Sequence, residues 1–399
     1  MSALAPRFQA VLASAWISKR EAAKYVQSYI KRVQNPQPQQ QPPAAFTPPI
    51  QVQVLNLPGK YEPLDAINGG EDSLFHTHNK HNLTFGVADG VGGWNESGID
   101  PSIFSRTLTA YLASVSCSTF LLHDSDEIEP RELLRRAFAG MRTDQVPAFG
   151  SATALVMNLS LASGMMRSAQ LGDSTFVVIQ GVGGDKQKVG FVSAEQQHRF
   201  NMPYQLTIPP IDGQQQQQQT DGESAMFYRP RVRDQQINEA IDKDDFSDLS
   251  LVGFDTPLDA RVDEHQLHHN DLVLAATDGL FDNVRVDEIE KLTEKFMHAI
   301  NRSSRETSVK KPPANMEEAN NKMALETDLF GGLAYSVAAQ AVANYIQDDL
   351  RSPFAERAKL AGYNYAGGKP DDVTVMLAWV RDSARLQAEQ KASKLAPKL

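Results

Sequence analysis

The chain has 399 residues, 41% of them hydrophobic, and a formal net charge of −10. A chain of that length buries a core of its own without disulfide staples. The single cysteine, Cys117, excludes an intrachain disulfide framework and any zinc site that needs two thiolates. Six residues after Cys117 stands His123 rather than an arginine, which excludes the loop of a cysteine-dependent phosphatase. An acidic balance with no basic stripe argues against nucleic acid as a partner.

In residues 1–34, Arg7, Lys19, Arg20, Lys24, Lys31 and Arg32 face one acidic residue, Glu21. Phe8, Val11, Leu12, Trp16, Ile17, Tyr25, Val26, Tyr29 and Ile30 lie between them at near-helical spacing. A basic, acid-poor amphipathic start is the pattern of a mitochondrial targeting leader. The expectation is a leader over 1–34 and a location in the mitochondrial matrix. The segment is too short and too charged to span a membrane. Residues 35–50, rich in proline and glutamine, read as an extended linker.

The folded body is expected over 51–382, with polar inserts at about 212–250 and 303–326 and a charged tail over 383–399. Leu83 to Ala88 is a short apolar run ending in Asp89-Gly90. Phe104, Leu108, Tyr111, Leu112 and Val115 share one helical face over 103–116. Thr153 to Leu161 and Met165 to Gln170 read as strands joined by the turn Ala-Ser-Gly, and Thr175 to Gln180 follows the turn at Gly172-Asp173. Asp271 to Ala276 is a strand leading into Thr277-Asp278-Gly279. Val373 to Val380 is apolar on both faces, so it is a strand covered on both sides. Hairpin signals with intervening helices predict an α+β fold rather than a parallel βαβ series.

Four acidic motifs share one grammar, an aspartate at the end of a strand-like run, usually beside glycine. They are Gly69-Gly70-Glu71-Asp72, Ala88-Asp89-Gly90-Val91-Gly92-Gly93, Ala276-Thr277-Asp278-Gly279 and Lys369-Pro370-Asp371-Asp372. One Asp-Gly is an ordinary turn. Four of them, each attached to an apolar run, predict carboxylates converging at one sheet edge, where a positive charge must neutralise them. Hard divalent ions with oxygen ligands, Mg²⁺ or Mn²⁺, suit such a set.

These motifs, together with Gly-Ser-Ala-Thr-Ala at 150–154 and Leu-Gly-Asp-Ser at 171–174, resemble in order the motif set of the metal-dependent protein phosphatases of type 2C. The run Gly-Val-Gly-Gly-Trp and the segment Glu195 to Leu206 resemble the mitochondrial branch of that family. The resemblance implies a four-layer sandwich of two antiparallel β-sheets flanked by antiparallel helices. It implies two ions, Mn²⁺ or Mg²⁺, with Asp89 bridging both and the Gly90 carbonyl binding one. Glu71 would ligate the second ion, Asp278 and Asp371 the first, and Asp72 a water on the metal. Asp173, with Asp278, would lie near a weaker third position. Asp89 and Asp278 would carry catalysis through water activated by the ions, on phosphoserine and phosphothreonine of phosphoprotein substrates. The branch points to matrix enzymes, including those of ubiquinone biosynthesis.

Two positions depart from the family pattern. Val91 stands where many members carry a histidine that protonates the leaving group, and Ile67 where many carry an arginine that grips phosphate. The general acid is left open, with His198, His76, His78 and His81 as candidates. A phosphatase-like scaffold that binds phosphoproteins with little turnover is the alternative reading.

Overall fold

A computed structural model describes residues 6–34, 46–57, 69–122, 128–147, 149–209, 253–310 and 316–388. The chain divides into two compact units, one built from residues 1–59, 176–192 and 267–399, the other from 60–175 and 193–266.

The first unit carries a six-stranded sheet, ordered β2-β1-β15-β14-β8-β9. Its strands are β1 (Phe8–Ile17), β2 (Gln51–Leu57), β8 (Thr175–Gln180), β9 (Lys188–Val192), β14 (Asp271–Ala276) and β15 (Val373–Asp382). Beta-branched and aromatic residues make up half of β15, and all but one of its positions are buried. Against one face pack α1 (Lys19–Gln34), α5 (Val286–Lys310) and α6 (Met316–Tyr345). Val11, Ile17, Leu274 and Val375 of the strands meet Ile289, Phe330, Leu333 and Val337 of the helices.

The second unit carries a five-stranded antiparallel sheet, ordered β13-β7-β6-β4-β3. Its strands are β3 (Asp72–His78), β4 (Asn82–Asp89), β6 (Ala154–Ser160), β7 (Met165–Leu171) and β13 (Arg261–Gln266). Short β5 (Gly150–Ala152) pairs with β12 (Leu206–Ile208), and β10 (Gln197–Arg199) with β11 (Met202–Pro203). Helices α2 (Pro101–Leu122) and α3 (Pro130–Asp144) cover one face. Phe104, Leu108, Leu112, Leu134 and Phe138 pack on Phe75, Val156 and Leu171. Asp100 starts α2, its carboxylate accepting from Ser102 N at 3.0 Å, and Pro101 needs no backbone donor there. Antiparallel sheets with helices on a face of each are the α+β parts that the sequence predicts. Among the described residues no helix is long and apolar enough to cross a membrane.

The expectation of a separate leader over 1–34 is corrected. Residues 8–17 form β1, an interior strand paired along its whole length with β15 and from Ala10 to Trp16 with β2. Phe8, Leu12, Ala13 and Ile17 are at most 2% exposed, the burial of a core strand rather than of a detachable helix. The apolar spacing fits either element, and strand pairing on both sides decided between them. The basic residues fall mainly on α1, where Ser18 Oγ accepts from Glu21 N at 3.2 Å and caps the first turn. The linker's residues 35–45 and the insert's residues 212–250 lie outside the described residues. The second insert is not a loop over its described part, since its residues continue α5 to Lys310 and α6 from Met316.

His76 and His78, two of the candidate acids, lie buried within β3. Neither ring nitrogen of His76 has a hydrogen-bond partner, and burial, aided by neighbouring His78, pulls its pKa from 6.5 down to about 4. Between those values the unfolded chain binds a proton that the folded chain refuses, so stability falls as pH drops from 6.5 towards 4. The loss between pH 7 and pH 5 is about 2 kcal/mol. His76→Leu should remove that share of acid sensitivity. Urea unfolding at both pH values measures it, and an equal loss in both proteins would assign the sensitivity elsewhere.

Candidate active site

The acidic motifs of the second unit meet at one end of its sheet. Asp72 opens β3 and Asp89 closes β4, and the register sets the two directly opposite each other. Like charges so placed repel, so the pairing is unfavourable without a cation. Glu71 lies in the turn before β3, where its carbonyl accepts from Gly90 N at 3.1 Å and from Ser105 Oγ at 2.5 Å. Its carboxylate accepts from Asn95 Nδ2 at 2.6 Å. Gly90 has to be glycine, because a Cβ there would stand 2.5 Å from the Pro101 carbonyl and 2.9 Å from that of Glu71.

Thr153, in the middle of Gly-Ser-Ala-Thr-Ala, ties two of these positions together. Its hydroxyl accepts from Asp89 N at 3.1 Å and lies 2.9 Å from Ser174 Oγ, next to Asp173. Asp173 itself is buried in the β7–β8 turn and accepts from Gln197 Nε2 at 3.4 Å. Of the histidines considered as acids, His198 is held by Asp255 Oδ2 at 3.0 Å and stacks on Tyr204 at 4.0 Å between centroids. Val91 contributes a backbone N–H to the Ser151 carbonyl at 3.1 Å. Sequence reasoning passed over Arg106, on the first turns of α2, which donates from Nη2 to the Gly70 carbonyl at 3.3 Å beside Glu71.

In the first unit, Asp278 opens the short helix α4 (Asp278–Phe281) directly after β14, and Asp371 lies in the loop before β15. The structure gathers them, with Asp282, around one ammonium. Lys369 Nζ lies 2.6 Å from Asp278 Oδ2, 2.6 Å from Asp282 Oδ2 and 3.2 Å from Asp371 Oδ2. Arg357 pairs with the other oxygen of Asp282. Three carboxylates thus share two cations. Burial pushes the Asp282 carboxyl up, with Asp278 adding to the push, and burial followed by Asp278 does the same to Asp371. Burial pulls the Lys369 ammonium down, but the three aspartates outweigh it and hold its pKa well above the ordinary lysine value.

The backbone around this cluster is fixed from several sides. Asn283 donates to the Lys369 carbonyl at 2.8 Å and accepts from Lys369 N at 2.9 Å. A Cβ on Gly279 would stand 1.9 Å from the Asp372 carbonyl, so only glycine lets α4 and this loop approach. Asp372 is structural, its carboxylate accepting from Lys19 N at 2.5 Å at the start of α1. The roles of Asp282 and Lys369 were missed in the sequence, although Lys369 opens one quoted motif and Asp282 follows another by three residues. The charge alternation in Lys-Pro-Asp-Asp was the available signal.

The family model of protein phosphatase 2C matches residues 69–317, which include every candidate ligand except Asp371. The chain belongs to the protein phosphatase 2C family. This type 2C phosphatase is 34% identical over 317 residues to "Protein phosphatase PTC7 homolog fig" of Drosophila grimshawi, covering 79% of this chain and 81% of that protein. It is 31% identical over 319 residues to "Protein phosphatase PTC7 homolog" of Homo sapiens, covering 78% and 80% respectively. Among solved structures, that of the photosystem II phosphatase PBCP matches with a TM-score of 0.49 and 24% identity, over 79% of this chain and 93% of that one. As a type 2C phosphatase the chain is an enzyme, a protein serine/threonine phosphatase.

Proposed function

We propose that this phosphatase hydrolyses phosphoserine and phosphothreonine with the help of two divalent cations, Mn²⁺ or Mg²⁺. In the second unit the candidate ligands are Glu71, Asp72, Asp89 and the Gly90 carbonyl, with Asp173 at a weaker third position. In the first unit they are Asp278 and Asp371. The observation that carries the reading is the meeting of Asp278, Asp282 and Asp371 on a single cationic atom, Lys369 Nζ. Among the described residues, no group of three or more His, Cys, Asp or Glu side chains has the geometry to hold an ion as it stands. The donor set nevertheless fits a hard ion, since every candidate ligand atom is an oxygen. Such ions supply a water of lowered pKa and charge to brace the phosphoryl oxygens.

Phosphate release from p-nitrophenyl phosphate and from a phosphothreonine peptide, with Mn²⁺, Mg²⁺ or EDTA, tests this. Turnover with either ion and its loss in EDTA is the expected result; equal turnover in EDTA would end the metal reading.

The substrates are proposed to be mitochondrial matrix phosphoproteins, those of ubiquinone biosynthesis among them. The support is the resemblance of Gly90 to Trp94 and Glu195 to Leu206 to the mitochondrial branch, because the basic N-terminal segment serves the sheet. Fractionation of cells expressing the full chain with a C-terminal tag checks the location, and a cytosolic pool alone would refute it.

A further inference from the structure

Lys369 Nζ lies among the oxygens that would hold the cluster's divalent ion. This atom touches Oδ2 of both Asp278 and Asp371, so an ion held by those two oxygens competes with the ammonium for one point in space. Two positive charges at that separation repel by several kcal/mol even in a moderately polar site. We propose that Lys369 is a built-in countercation, which occupies the aspartate cluster until metal arrives and must swing out for Asp278 and Asp371 to ligate it. The inference rests on the reading above that these two aspartates are metal ligands.

The surroundings suit such an exchange. Asn283 pins the Lys369 backbone through both its N–H and its carbonyl, so the loop stays while the four-carbon side chain moves. Phe354 offers the ammonium a second partner, its ring centroid 5.0 Å from Nζ. Arg357 remains on Asp282, so that buried carboxylate keeps a cation when Lys369 leaves. Without metal, removing the ammonium would take from the three carboxylates the one cation they all touch. Lys369 therefore stabilises the metal-free protein and raises the metal concentration needed to load it.

Lys369→Met tests the exchange, with Lys369→Gln alongside because its amide still donates to the carboxylates and guards the fold. Mn²⁺ binding is followed by titration calorimetry on the full chain, and melting is followed with and without Mn²⁺. The Asp278-dependent site is identified as the binding lost in Asp278→Asn. Both lysine variants should bind Mn²⁺ at that site at least about tenfold more tightly than wild type. Their metal-free forms should melt below wild type, and saturating Mn²⁺ should close the gap. Unchanged or weaker Mn²⁺ binding in the variants, with wild-type binding still dependent on Asp278, overturns the countercation alone. Mn²⁺ binding in wild type that Asp278→Asn does not diminish overturns the ligand assignment beneath it.

Discussion

Replacing Asp278 with asparagine should leave a folded protein that dephosphorylates a phosphothreonine peptide about 10³-fold more slowly than wild type, the scale of losing one preorganised electrostatic contact in a catalytic site. Asparagine keeps the shape of the side chain that opens α4 and removes only its charge. Lys369 retains Asp282 at 2.6 Å and Asp371 at 3.2 Å, so the buried ammonium is not orphaned. The substitution also relieves the repulsion by which Asp278 pushes up both of those carboxyls. The melting temperature without metal should therefore stay level or rise while turnover collapses. Steady-state rates at saturating Mn²⁺ and a thermal melt on the same preparation check both halves. Activity within tenfold of wild type would remove Asp278 from the catalytic machinery.

A chain starting at residue 35 should not fold. That truncation deletes β1 and exposes the edges of β15 and β2, which pair with it on either side. It removes Phe8, Val11, Leu12, Trp16 and Ile17, all at most 8% exposed. At about 2 kcal/mol per large apolar side chain, their burial is worth roughly 10 kcal/mol. The whole stability of a domain is of order 5–15 kcal/mol. The cut also strips Asp372 of the Lys19 N–H that satisfies it, one residue from Asp371. Circular dichroism during heating should show no cooperative transition for the truncated chain. A sharp melt close to that of the full chain would show that β1 is dispensable and would restore residues 1–34 as a leader.

Much of the interior could be read locally. The runs that became β4, β6, β8, β14 and β15 are largely apolar, with β-branched residues concentrated in β8 and β15, and tight turns or Asp-Gly steps punctuate them. The helical face Phe104, Leu108, Leu112 and Val115 is likewise a local signal, and all four residues are buried under α2. Two further local signals were present and unused. Ser18-x-x-Glu21 has the sequence pattern of a capping box, and Ser18 Oγ caps the start of α1 and so ends the preceding element at Ile17. Pro130 followed by Leu133, Leu134, Ala137, Phe138 and Met141 marks α3. The polar stretch over 303–326 misled because a polar composition does not exclude helix, the form taken by its described residues up to Lys310 and from Met316.

By itself, the sequence determined the family and the positions of the strand-end carboxylates, because Asp-Gly turns at the ends of apolar runs are local chemistry. The partners of those carboxylates were decided by tertiary structure alone. Lys369 lies about ninety residues from Asp278 and Asp282, and it reaches them only because Gly279 and Asn283 dock the loop before β15 onto α4. The N-terminal segment was decided in the same way. Its apolar spacing suits a helix or a strand, and the 10-residue β1 became a strand because β15, more than 350 residues further on, supplies hydrogen bonds along its whole length. Periodicity records which side chains seek burial; only the assembled tertiary structure determines which backbone they pair with and which charge they meet.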